Sequence, residues 1–138
     1  MKWLFWFLAG ALAVPLAHHP VLAAFYAAGI APYRPYSFQP TQPFGVPQVI
    51  SLSFWGGVWG LVLGLVLSRI QTPRIWWIVA IVFGAVAPTL VAGLVVAPLK
   101  GQHMHPTPAL AILGLCVNGA WGLGTAVIYK LLNAWRAT

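Results

Sequence analysis

The sequence predicts an all-α integral membrane protein with four transmembrane helices, laid out as two tandem helical hairpins. Three observations predict it. Of 138 residues, 61% are hydrophobic and 5% charged, against about 25% charged in an average soluble domain. There is no Asp and no Glu, so every charged side chain is Lys or Arg and the formal net charge is +7. The apolar residues also gather into four long runs, each close to the roughly 20 residues a helix needs to cross bilayer hydrocarbon.

Taken in order, the helices are expected over residues 3–24, 49–68, 75–98 and 108–132. Residues 1–138 then form a single membrane domain. The first run imitates a secretory signal, with Lys2, an apolar stretch and the small-residue site Val21-Leu22-Ala23. It is long enough to span, and is read as a retained first helix. Lys130 is the one charged residue inside any of the runs. Backbone groups in lipid must pair internally, which selects helices. The short alternating segments of a β-barrel are absent.

The connections differ in character. Residues 25–48 form an outer loop containing Pro32-Tyr33-Arg34-Pro35-Tyr36-Ser37-Phe38-Gln39-Pro40. Each of those prolines removes a donor and restricts its predecessor, so regular helix is excluded. The aromatics place the loop on the membrane interface. The second connection, 69–74, is short. The third, 99–107, carries Lys100, His103 and His105.

Lys2, Arg69, Arg74, Lys130 and Arg136 fall on one side of the membrane, and Arg34 and Lys100 on the other. Basic residues favour the inner side, so both termini are expected in the cytoplasm of a bacterial inner membrane. The positive charges stand singly at the ends of apolar runs, not as a patch with interleaved aromatics, which argues against nucleic acid. The expected partners are membrane lipids, including anionic headgroups, and other membrane subunits or a second copy of the chain.

An internal repeat is legible. Gly57-Val58-Trp59-Gly60-Leu61 returns as Gly119-Ala120-Trp121-Gly122-Leu123, an offset of 62 residues. Gly10-Ala11-Leu12-Ala13-Val14-Pro15 is echoed by Gly84-Ala85-Val86-Ala87-Pro88. Two hairpins entering from the same side make a parallel pseudo-repeat, related by an axis along the membrane normal.

Small residues mark the expected packing faces. Gly56, Gly60 and Gly64 lie four residues apart, as do Gly114, Asn118 and Gly122. Such stripes let helix backbones approach closely. The expectation is that the second and fourth helices pack stripe to stripe, with a contact to another subunit as the alternative. Pro15 and Pro88 are expected to kink the first and third helices. Asn118 is expected to bridge helices by a hydrogen bond, and Cys116 to be a small buried hydrophobe.

The histidines are the conspicuous chemical groups. His18 lies about 22 Å along the first helix at 1.5 Å per residue, which puts His18, His19, His103 and His105 near one outer face. Imidazole and the thioether of Met104 suit copper, and imidazole suits zinc. Haem ligation is a further possibility. No carboxylate or thiolate stands beside these histidines to orient them, and hydrogen bonds to backbone or headgroups are the plainer role. No cofactor is therefore expected.

No nucleotide loop or zinc-protease motif is present, and a Ser-His-Asp arrangement is impossible without an acid. The chain is read as non-catalytic, an accessory or assembly subunit of a larger membrane complex. A small oligomeric transporter or channel is the alternative, and an outer-face metal or cofactor binder the second alternative.

Overall fold

A computed structural model describes residues 1–102 and 107–136. The expected site residues His103 and His105 lie outside the described residues. Four helices are long and apolar enough to cross a membrane: α1 (Lys2–Ala27), α2 (Gln48–Leu67), α3 (Pro73–Leu99) and α4 (Pro108–Trp135). Between α1 and α2 a short antiparallel ladder pairs β1 (Pro40–Thr41) with β2 (Val46–Pro47), Pro40 opposite Pro47 and Thr41 opposite Val46.

Prolines and hydroxyls set the helix ends. α3 and α4 each open on a proline, Pro73 and Pro108, whose missing N–H falls where no helical partner exists. Thr107 caps α4: its hydroxyl accepts the Leu110 N–H at 3.3 Å. α2 begins after Pro47, held extended at φ −53°, ψ 137°. At its other end the Ser68 hydroxyl donates to the Leu65 carbonyl at 2.7 Å.

Two glycine seams hold the bundle. In the first, Gly10 of α1 lies against Gly56 and Gly60 of α2, and a Cβ at Gly10 would come within 2.9 Å of the Gly60 Cα. In the second, Gly84 of α3 lies against Asn118 and Gly122 of α4. A Cβ there would stand 2.7 Å from the Gly122 Cα and 2.8 Å from the Asn118 carbonyl oxygen. Such approaches leave no room for a side chain on either helix, and close approach maximises van der Waals contact.

A third contact joins the hairpins. α1 packs on α4 through Ala13 and Ala17, which face Gly124. Trp6, Ala13, Val14, Leu63, Leu67, Ala80, Trp121 and Ala126 fill the middle of the bundle. The Trp6 ring lies across Gly64 and stacks on Tyr129, with centroids 3.6 Å apart and planes 9° apart. Leu22, Ala31, Leu113 and Val117 form a second cluster at the end bearing the long loop. There the Ile30 and Ala31 N–H groups both donate to the Phe25 carbonyl, folding the chain back onto the helix end.

Two expectations are corrected. The stripes of α2 and α4 do not face each other. Gly56, Gly60 and Gly64 face Val14, Gly10 and Trp6 of α1, while Gly114, Asn118 and Gly122 face Thr89, Gly84 and Ala80 of α3. Bulk decides this: the Trp121 ring stands between α4 and α2, its Nε1 3.3 Å from where a Gly56 Cβ would sit. Each stripe therefore meets its own hairpin partner. Cys116 is exposed rather than buried. The inward face of α4 runs through Leu113, Val117 and Trp121, and position 116 is rotated about 100° from 117.

Candidate functional site

The most unusual local structure is a π-helical turn in α1, Val14–His18. Its cause is the proline. Pro15 has no N–H, so the Ala11 carbonyl one turn earlier loses its donor. The Val14 N–H takes that place and donates to the Ala11 carbonyl. The Gly10 carbonyl is thereby left for another partner. The Trp121 indole supplies it, donating to Gly10 at 2.9 Å across 111 residues of sequence.

The other side of the turn repeats the logic. The His19 N–H donates to Val14, five residues back, so the Pro15 carbonyl is released from its helical donor. The Tyr36 hydroxyl of the long loop donates to it at 2.8 Å. Tyr36 stands at φ 52°, in the left-handed region that costs side-chain-bearing residues energy. That backbone delivers its ring to His19, with centroids 4.8 Å apart. One imidazole nitrogen of His19, Nδ1, lies 3.1 Å from the Val14 carbonyl. A carbonyl only accepts, so Nδ1 carries a proton in this contact. π turns recur at functional positions in helices.

His18 and His19 come together, ring centroids 5.2 Å apart. His19 is buried, and the His18 Nδ1 is buried with no hydrogen-bond partner among the described residues. Among those residues no group of three or more His, Cys, Asp or Glu is placed to hold a metal ion. What the cluster does chemically is couple the long loop to the π turn, through one hydroxyl and one ring contact.

The remaining predicted residues serve helix contacts. Asn118 donates through Nδ2 to the Thr89 Oγ1 at 2.9 Å, bridging α4 and α3. Thr89 is thus part of the bridge. Thr125 does bond its own helix, donating to the Trp121 carbonyl at 2.8 Å. Sequence reasoning missed Trp6, Trp121 and Tyr36. Trp121 could have been found: it sits at the centre of the repeated motif, and a buried indole N–H needs an acceptor. α3 has its own π turn, Ala92–Val96, beginning four residues after Pro88.

Compared with known proteins, the chain matches no family model, no curated protein and no solved structure.

Proposed function

We propose that this chain is a non-catalytic multi-pass subunit of a larger membrane complex, serving assembly or support. The observation that carries the reading is α3. It meets α4 along Ala80 and Gly84, and leaves Ile78, Val82, Val86, Leu90 and Leu94 exposed. So apolar and so lightly covered a helix needs lipid or another protein's helix against it. The middle of the bundle is occupied by Trp6 and Trp121, which suits a scaffold better than a conduit. On the loop side Phe38 and Phe44 are 71% and 88% exposed, a second apolar surface suited to docking.

The equivalence of the two glycine seams supports an internal duplication. Gly10 against Gly56 and Gly60 has the same form as Gly84 against Asn118 and Gly122. The distribution of basic residues supports an orientation with both termini in the cytoplasm, and enrichment in Trp, Ala, Gly and Pro supports a bacterial inner membrane. The test is purification of the tagged chain in a gentle detergent, followed by native mass determination and identification of retained proteins. Stoichiometric partner subunits are expected; a lone, stable monomer overturns the reading.

One observation favours a second reading, a small oligomeric transporter. Both odd-numbered helices are interrupted by a π turn, and interrupted helices line many substrate sites. Substrate flux in liposomes carrying the purified chain alone would favour this reading over the first.

A further inference from the structure

A cleft of about 480 Å³ opens at the end of the bundle that carries both helix α1's start and helix α4's end. It lies between the first turn of α3 and the last turns of α4. Gln71, Pro73, Trp76, Tyr129, Lys130 and Asn133 line it. The Lys130 ammonium is held over two indole faces, 4.9 Å from the Trp76 centroid and 5.2 Å from that of Trp77. Tyr129 is backed by the Trp6 ring, whose buried indole N–H has no acceptor among the described residues.

The chain offers this cation no acidic side chain, because it has no Asp and no Glu. Aromatic faces orient an ammonium but do not neutralise it. The half-charges of the two helix ends around the cleft have opposite signs and roughly cancel, so the full charge of Lys130 decides what the cleft attracts. Around it stand the amides of Gln71 and Asn133 and the phenol of Tyr129, all able to donate hydrogen bonds. A cation ringed by neutral donors suits a phosphate oxyanion. The cleft's place at a bundle end, between the tips of two membrane-length helices, is where lipid headgroups lie.

We propose that this cleft is a binding site for the phosphate of an anionic phospholipid headgroup, with Lys130 as its charge and Gln71 and Asn133 as its neutral contacts. The site goes beyond diffuse attraction between a basic chain and an acidic surface, because it is set by position rather than by net charge. It also stands whether or not the chain has partner subunits.

The test is a lipid titration of the full chain in nonionic detergent, read by native mass spectrometry, comparing phosphatidylglycerol with phosphatidylcholine. Wild type is expected to retain phosphatidylglycerol preferentially. Lys130→Gln is expected to lose about fivefold in that affinity, the scale of one basic side chain at an anionic surface. Asn133→Leu keeps the charge and is expected to lose about two- to threefold, the scale of one weak hydrogen bond. Lys2→Gln removes the same charge elsewhere, from a lysine over the Trp3 ring, and is expected to leave the affinity unchanged. All three positions are exposed, and helix content by circular dichroism checks that each variant folds. Equal losses in Lys2→Gln and Lys130→Gln would reduce the effect to general charge and overturn the site. Displacement of the lipid by millimolar inorganic phosphate would make it a free-phosphate site and overturn the lipid assignment.

Discussion

Gly122 and Gly93 are both helical glycines, yet they do opposite things. A Cβ on Gly122 would lie 3.0 Å from the Gly84 Cα and against the Ala80 carbonyl, whereas one on Gly93 would meet nothing within 4 Å. Backbone cannot rotate away as a flexible side chain can, so Gly122→Ala must push α3 off α4. Overpacking of this kind costs about 1–3 kcal/mol. Gly93→Ala is expected to be neutral or to stabilise by a few tenths of a kcal/mol, from its better helix propensity. Thermal unfolding of both variants in one detergent checks the contrast; equal melting temperatures would refute the seam. The four-residue stripes were visible in the sequence because spacing tells which residues share a helix face. Their partners were not, since spacing says nothing of what stands opposite. That depended on the volume of Trp121, which keeps α2 and α4 from meeting stripe to stripe.

At the scale of the element, the π turn in α1 converts a local defect into a tertiary contact. Pro15 frees a carbonyl, and Trp121 uses it. The two residues are therefore coupled although their rings need not touch. Trp121→Phe keeps most of the ring but leaves the Gly10 carbonyl without its indole donor, which is expected to cost about 1–2 kcal/mol. In a Pro15→Ala background the N–H at 15 can return to Ala11, and that of Val14 to Gly10. Trp121→Phe is then expected to cost less, with a coupling of about 0.5–1 kcal/mol in a double-mutant cycle. Strict additivity would separate the proline from the hydrogen bond. That the regular helix is interrupted was legible from Pro15 alone. Its use was not, because a proline shows which acceptor is orphaned but not which distant donor arrives. The same limit hid Tyr36, whose hydroxyl reaches back to Pro15 from a loop read only as an interfacial segment.

For the whole molecule, the four helices long and apolar enough to cross a membrane were the most legible feature, since length and apolar composition decide them. Their arrangement was less so. α1 joins the halves by packing on both α2 and α4, through Gly10 on one face and Ala13, Ala17 and Trp6 on others. The connection 68–72 adds Ile70 to the core but takes no part in the α1–α4 contacts, so cutting it leaves those contacts in place. Fragments 1–70 and 71–138, co-expressed with a tag on one, are expected to co-purify, and Trp6→Ala is expected to weaken that association. Failure of the unmodified fragments to associate would show that the hairpins cohere only through the chain. The Gly10–Trp121 bond also has a temporal side. During synthesis its acceptor is made 111 residues before its donor, a delay of about 6–22 s at 5–20 residues per second. For that interval the first helix carries in its middle a carbonyl without the donor it has in the finished fold, and water or another group must satisfy it until the last helix arrives.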